Sequence, residues 1–304
     1  MKIGVQLPEV ERVTRWTELR TMAEAAERIG LDSVWVGEHL LYRYADGEER
    51  GPWGAWSLMA ALAAATERVE IGPLVACASF HNPAILAKQA STIDEISGGR
   101  LILGLGAGWN EVEYRAFGVP YDHRVSRFEE AFTIIRSLLR DGRVDFSGQY
   151  YSARDCVLLP RGPRPNGPPL MVGSMGERML RITLPYVDAW NCWYSWFGNS
   201  IEGYLRLRDQ VDAACEAVGR DPAEVERTAA LFVAFPEAVG RRTLFAEDVV
   251  EGLSSEPRPL TEALAAFADA GVGHVQLVLD PITVESIERL APVVEQFAPS
   301  RRAV

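Results

Sequence analysis

The sequence is poor in lysine and cysteine, and each shortage excludes a class of chemistry. Among 31 basic residues only Lys2 and Lys88 are lysines. Lys2 begins the first predicted strand and Lys88 lies inside a predicted helix, so neither is placed for the amine chemistry of Schiff-base aldolases or pyridoxal-phosphate enzymes. The four cysteines are scattered without a CxxC pair, which argues against a disulfide framework and a zinc knuckle. We therefore expect a reducing, cytoplasmic environment.

The chain also lacks long apolar runs and an excess of basic charge. Its alanine-rich segment 58–65 stops at the polar residues 66–68, and residues 1–7 lack the basic region and cleavage site of a signal peptide. We expect neither a membrane-spanning nor a secreted protein. Forty-two acidic residues against 31 basic ones give a formal charge of −11, which repels polyanions. The expected partner is a small-molecule substrate and not nucleic acid.

The sequence does contain a regular alternation of short apolar runs and amphipathic helices. The predicted strands are 2–6, 33–37, 70–75, 101–106, 170–173, 189–192, 228–233 and 274–278. The predicted helices that follow them are 16–29, 56–65, 83–97, 124–140, 177–187, 201–218, 260–270 and 283–297. Eight such units with near-continuous apolar strands predict an α/β fold, the (β/α)8 TIM barrel.

A doubly wound open sheet is the competing fold. Its mark is GxGxxG after the first strand, but that strand ends without glycine, and the glycine run after the fourth strand has Trp109 where the third glycine is required. We therefore predict one barrel domain spanning residues 1–304. A small hairpin, 144–152, is inserted between the fourth helix and the fifth strand. Because it follows a helix, we expect it at the end of the barrel opposite the chemistry.

In such barrels the loops that follow strands carry the chemistry. His39 stands directly after the second strand, where an imidazole can transfer or polarise a proton near neutral pH; the alternative is a histidine that satisfies a loop carbonyl. The loop 193–197 is almost entirely aromatic, and it either covers an apolar ligand or plugs the barrel. The strand ends offer neither HxH nor a series of carboxylates, so we expect no metal site.

Two glycine-containing turns are candidates for holding a cofactor. The turn after the fifth strand combines backbone amides, a hydroxyl and a helix start, which favours a phosphate. Its members are Gly173, Ser174, Met175 and Gly176. In the second cluster, 104–108, the missing side chains would let a planar group approach the backbone; close packing of strands is the alternative.

Several segments resemble the luciferase-like monooxygenase superfamily, whose members use FMN or the deazaflavin F420. The resemblance rests on IGVQLP in the first strand, SVWVGEH in the second, DFSGQYY at 145–151 and above all SGGRLILGLGAGWNEVEY at 97–114. It implies an oxidoreductase with a flavin-type ring at the barrel mouth and its phosphate near the loop after the fifth strand.

The resemblance also implies roles for individual residues. In F420-using relatives the histidine that matches His39 lies beside the redox centre of the ring, which makes it the candidate catalytic residue. A non-prolyl cis peptide after the third strand, here between Leu74 and Val75, supports the ring. The loop that lines the cofactor would comprise Gly106, Gly108, Trp109 and Asn110.

The chain departs from the sugar-phosphate dehydrogenases of the superfamily. Trp109 stands where they have a catalytic glutamate, and their phosphate-binding lysines are missing. We expect F420-dependent hydride transfer or FMN-dependent monooxygenation of a small apolar or aromatic substrate by a homodimer, and the overall likeness favours F420. A flavin-binding barrel without turnover and a cofactor-free barrel hydrolase are the alternatives.

Overall fold

A computed structural model describes residues 1–239 and 249–297. The strands of the barrel wall are β1 Lys2–Gln6, β2 Ser33–Val36, β3 Glu70–Pro73, β4 Leu103–Gly106, β5 Leu170–Gly173, β6 Ala189–Cys192, β7 Glu226–Ala234 and β8 Val272–Asp280. The helices of this part are α1 Trp16–Ile29, α2 Ala55–Ala65, α3 Pro83–Ser97, α4 Glu111–Phe117, α5 Arg124–Asp141, α6 Glu177–Thr183, α7 Ile201–Ala217, α8 Pro257–Asp269, α9 Val284–Glu288 and α10 Ala291–Phe297. The domain predicted over 1–304 also includes 240–248 and 298–304, which lie outside the described residues.

The strands follow one another around a closed ring. Hydrogen-bonded neighbours run in the order β3, β2, β1, β8, β7, β6, β5, β4, and all of these pairs are parallel. The ring closes between β3 and β4 through a bridge from Ile71 to Leu101 and through Ala76–Cys77, which pairs with the end of β4. This closure confirms the predicted barrel, because an open sheet would leave two unpaired edges.

Local sequence signals explain how the helices begin, end and pack. In α1 the buried residues Leu19, Met22, Ala23 and Ala26 recur at the three-and-four spacing of one helical face. Gly30 ends this helix at a φ of 92°, a left-handed conformation that glycine adopts without a side-chain clash. These buried faces pack on strands such as β2, all of whose residues are buried, and together they form one apolar core.

Three helical segments differ from the sequence prediction, and proline explains two of them. The helix predicted over 177–187 ends at Thr183, because Pro185 has no N–H to donate to the carbonyl one turn earlier. The helix predicted over 283–297 is divided into α9 and α10, because Pro292 has no N–H to continue the ladder. The loop after β4 contains α4, which is not among the helices predicted above.

The insertion after α5 is an antiparallel hairpin, as predicted. Its strands are Arg143–Ser147 and Ser152–Val157. The expectation that it lies at the end opposite the chemistry is wrong for its tip, because the strands are long enough to run back along α5. Glu130 in α5 accepts the N–H groups of residues 149–151 at 2.7 to 2.9 Å. The Tyr150 ring lies 5.8 Å from that of His123, which immediately precedes α5.

The four cysteines are all free, and the hairpin contains the most accessible one. Cys77, Cys192 and Cys215 are buried, whereas Cys156 is half-buried on the second hairpin strand. No helix among residues 1–239 and 249–297 is long and apolar enough to cross a membrane.

Candidate active site

A cavity of about 580 Å³ opens at the carboxyl ends of the barrel strands. Its walls come from the segments that follow β1 to β6 and from the start of α5. The volume lies within the range of pockets that bind small molecules. In the described part of the chain, no set of three or more His, Cys, Asp or Glu side chains is grouped to hold a metal ion. The cavity is therefore a candidate site for an organic ligand.

The structure brings nearly all of the predicted site residues to this cavity. Its lining includes His39, Leu74, Val75, Gly106, Gly108, Trp109, Gly173, Ser174, Met175 and Gly176. Asn110 is the exception, because it is buried and its side-chain nitrogen donates to the Leu41 carbonyl at 2.9 Å. Asn110 thus fastens the loop before α4 and does not face the cavity. That the other residues contact a cofactor stays a prediction.

His39 is held between two carboxylates. Its Nδ1 lies 2.9 Å from Oε1 of Glu113, and its Nε2 lies 3.9 Å from Oε1 of Glu9. Burial alone would lower the pKa of His39, but the negative charge of Glu9 and the hydrogen bond to Glu113 outweigh it. The pKa of His39 is therefore raised above its usual value. The side chain bonds a carboxylate and not a loop carbonyl, which favours the functional interpretation of this histidine.

Sequence reasoning missed both carboxylate partners of His39. Glu9 follows β1, and its Oε1 accepts the Tyr42 hydroxyl at 3.0 Å. Glu113 lies on α4 and is 1% exposed. The signal for Glu113 was its place one turn after Trp109, but the direction of its side chain depends on a helix that the sequence did not predict in full.

Aromatic rings surround the histidine. The Tyr42 ring lies 4.8 Å and the Trp109 ring 5.4 Å from the imidazole, both inclined steeply to it. In the loop after β6, Tyr194 is buried and stacks on Phe232 of β7, whereas Trp196 is partly exposed at the cavity. This loop therefore both plugs the barrel and supplies an aromatic wall.

Val75 occupies a space that three glycines leave open. A Cβ at Gly104, Gly106 or Gly173 would lie 2.9, 2.8 or 3.1 Å from a methyl carbon of Val75. The Leu74–Val75 peptide bond is cis, as the resemblance implied. Close packing against the protein's own atoms therefore accounts for these glycines, and Val75 forms part of the cavity wall.

A second polar group fixes the wall beside Val75. Glu38 accepts the N–H of Cys77 at 2.8 Å, and its other oxygen lies 2.8 Å from Nε2 of His81. The Tyr114 hydroxyl donates to the Ala107 carbonyl at 2.8 Å and lies 2.9 Å from the Cys77 sulfur. Burial raises the pKa of Cys77 to about 12. Cys77 thus stays a neutral thiol that shapes the wall.

The turn 173–176 forms the far side of the cavity. Trp190 donates to the Ser174 carbonyl at 2.7 Å and holds the turn against β6. A Cβ added at Gly176 would meet no atom closer than 3.9 Å, so a small side chain fits there without a clash. Arg178 pairs with Glu129 at 2.8 Å and is not among the residues that line the cavity. Backbone N–H groups and the Ser174 hydroxyl are the groups of this turn that could hold a phosphate, and its binding there stays a prediction.

A sequence model described as luciferase-like monooxygenase matches residues 1–241. The chain belongs to this family. It is 34% identical over 218 residues to the F420-dependent glucose-6-phosphate dehydrogenase of Amycolatopsis mediterranei, which covers 69% of this chain and 63% of that enzyme. It is 33% identical over 178 residues to the pyrimidine monooxygenase RutA of a Caulobacter species, covering 56% and 48% respectively. The chain thus spans about half to two thirds of the length of these curated relatives.

Solved structures share the fold of this luciferase-like chain. An F420-dependent secondary alcohol dehydrogenase with an F420–acetone adduct superimposes with a TM-score of 0.78 at 20% identity, covering 96% of this chain and 97% of that one. The monooxygenase RslO1 from Streptomyces bottropensis gives a TM-score of 0.78 at 21% identity, covering 99% and 100%. At these identities the likeness establishes the barrel architecture alone.

Proposed function

We propose that the protein is an F420- or FMN-dependent oxidoreductase acting on a small apolar or aromatic substrate, with F420 the favoured cofactor. The observation that carries the proposal is His39, which lines a cavity at the carboxyl ends of the strands while its Nδ1 is fixed by a carboxylate. The bound deazaflavin or flavin supplies the redox chemistry, and the protein supplies binding and orientation. The relatives with F420 in their names support the choice of cofactor.

The residues of the cavity fall into two groups, one that would hold the cofactor and one that would contact the substrate. The turn 173–176 would hold the cofactor phosphate, and the Val75 side chain would support one face of the ring. His39 would give or take the proton that accompanies redox chemistry on the substrate, because a positioned imidazole exchanges protons near neutral pH. Trp109 and Tyr42 flank His39 and would pack on an apolar substrate, which excludes water from the proton transfer.

A sugar phosphate is a poor candidate substrate for this chain. Trp109 borders the catalytic histidine, and the two lysines lie away from the cavity lining. Lys2 pairs with Glu70, and Lys88 donates to the Leu159 carbonyl. We infer that the substrate differs from that of the glucose-6-phosphate dehydrogenases to which the chain is similar.

Cofactor binding and turnover test the proposal. We expect F420 to bind more tightly than FMN in parallel titrations, and the reduced or oxidised cofactor to exchange hydride with a panel of alcohols, carbonyl compounds and arenes. His39→Asn should retain the cofactor and lose turnover by about 10² to 10⁴-fold, as for a positioned acid or base. Binding without hydride exchange would identify the non-catalytic barrel instead. No affinity for either cofactor would leave the hydrolase alternative.

The assembly and location are further parts of the proposal. We propose that the protein is a cytoplasmic homodimer whose ligands are small molecules and not nucleic acid or membrane. The net acidic charge argues against nucleic acid as a ligand, and the scattered cysteines support a reducing compartment. Light scattering of the purified chain should give twice the mass of one chain, and the mass of a single chain would contradict the dimer.

A further inference from the structure

We propose that Glu113 is a positioning residue for His39, which keeps the hydrogen on Nδ1 and presents Nε2 alone to the cavity. Its effect on turnover rests on the proposed function, but its effect on the histidine does not. Nothing in the sequence marks this pair, since 74 positions separate the two residues.

The contact fixes which nitrogen carries a hydrogen. An ionised carboxylate only accepts hydrogen bonds, so Nδ1, at 2.9 Å from Glu113, must be the donor. The second carboxylate oxygen accepts the N–H of Leu40 at 2.7 Å. Glu113 is therefore held at both oxygens and has one orientation toward the imidazole.

Burial makes this contact strong. Glu113 is 1% exposed and the His39 side chain 17% exposed, so water competes little for either group. Hydrogen bonds to ionised groups are shorter and stronger than neutral ones, and a low local dielectric strengthens them further. The imidazole is thereby prevented from changing tautomer or rotating its ring.

The other ring nitrogen belongs to a side chain that lines the cavity. Within the described residues, no group lies within hydrogen-bond distance of Nε2, and the nearest carboxylate oxygen, of Glu9, is 3.9 Å away. Glu9 itself accepts bonds from Tyr42 and from the Gln6 side chain, which keep it in place. A substrate oxygen is thus the natural partner of Nε2. The geometry assigns the proton transfer to Nε2 of His39, and it assigns the orientation of the His39 ring to Glu113.

The bond to Leu40 also ties α4 to the loop after β2, so the test must separate orientation from stability. Glu113→Gln keeps the size of the side chain and an oxygen for Leu40, but its NH₂ group cannot accept from Nδ1. The matched control is Glu111→Gln on the same helix, whose carboxylate pairs with Arg115 at the surface. Both variants lose one negative charge from α4, and only one of them contacts His39.

Nuclear magnetic resonance of the histidine rings measures the tautomer and the titration midpoint of His39 without cofactor or substrate. The sequence has 4 histidines, and the His39 signal is assigned by its loss in His39→Asn. In the wild-type protein above the titration midpoint, nitrogen shifts should show the Nδ1–H tautomer. Glu113→Gln should convert it to Nε2–H and lower the midpoint, whereas Glu111→Gln should leave both unchanged.

Turnover gives the second readout. In Glu113→Gln we expect kcat to fall, but by less than the about 10² to 10⁴-fold that is expected for loss of His39. Cofactor affinity should be unchanged. The part of the pH profile of kcat that reports the titration of His39 should move to lower pH. An Nε2–H tautomer in the wild type would overturn the assignment, whether or not the variant folds and the enzyme turns over. The same midpoint in folded Glu113→Gln as in the wild type would also overturn it. A wild-type protein with the Nδ1–H tautomer but no hydride exchange would refute only the proposed function.

Discussion

A single side chain, His39, links the electrostatics of the site to the stability of the fold. Its pKa is raised in the folded state by Glu9 and Glu113 against the effect of burial. The folded protein therefore binds the His39 proton more tightly than the unfolded chain, whose histidine pKa is about 6.5. The stability that His39 contributes is complete below that value and is lost as pH rises through the folded pKa.

The difference between the wild-type protein and His39→Asn isolates this contribution. We expect the free energy of unfolding, measured by urea denaturation of both proteins, to differ most at mildly acidic pH. The difference should shrink as the pH rises above about 6.5, because the folded state loses its extra proton. A difference that grows with pH would show that the carboxylates do not hold the proton on His39.

Gly176 offers a second test at the scale of one residue. Gly176→Asp should set a carboxylate against the cofactor phosphate and weaken binding by roughly 10-fold or more, since two like charges about 4 Å apart repel by 1 to 4 kcal/mol. Gly176→Ala is the control, because a Cβ there would make only ordinary van der Waals contacts, at 3.9 Å or more. If isothermal titration gives equal cofactor affinities for the two variants, the cofactor phosphate does not bind at this turn.

At the scale of elements, the sequence predicted the repeated strands and helices of the barrel. It missed helix ends and the position of a hairpin tip that depends on a tertiary contact. Apolar runs and helical spacing located every barrel strand, because buried strands must be apolar on both faces. The ends of α6 and α9 were missed although Pro185 and Pro292 mark them. The tip of the hairpin was misplaced because its position depends on the contact with Glu130 and not on the order of elements.

The candidate site shows the same division. His39 and the turn 173–176 could be found because they directly follow strands, where the barrel rule places chemistry. Glu9 and Glu113 could not, since their relevance lies in distances to His39 that no spacing in the sequence encodes.

The glycines around Val75 form an element-scale constraint that can be tested. Gly106→Ala would place a Cβ 2.8 Å from a Val75 methyl carbon, and a β-branched side chain has few ways to move. We expect a loss of about 1 to 3 kcal/mol in the free energy of unfolding, as for other overpacked sites, together with weaker cofactor binding. Gly176→Ala again serves as the control in denaturation and titration. Unchanged values for Gly106→Ala would mean that Val75 does not form a rigid wall.

The whole molecule has one chemical end and one structural end. At the structural end, Asp94 is fully buried near the end of α3. Its carboxylate accepts hydrogen bonds from Nε of Arg164 at 3.1 Å and from the N–H of Leu101 at 3.3 Å. This ion pair joins α3, the segment before β5 and the chain entering β4.

Removing one partner should affect only the structural end. Asp94→Ala should cost about 1 to 3 kcal/mol in the free energy of unfolding, because it leaves the N–H of Leu101 without its acceptor and the partly buried Arg164 without its counter-charge. Below the denaturation temperature, cofactor affinity should equal that of the wild type, since α3 contributes to the cavity only indirectly. A loss of affinity without a loss of stability would contradict this division between the two ends.

The placement of the cysteines makes the native molecule selective toward thiol reagents. Cys77, Cys192 and Cys215 are buried and have raised pKa values, so almost none of their thiolate, the reactive form, is present at neutral pH. Cys156 should therefore react first, as one equivalent, and all 4 should react only after unfolding. A fluorescent label would attach where Cys156 pairs with Val144, just past the C-terminal end of α5. The wild-type sequence thus already contains a single accessible attachment point for a fluorescent label.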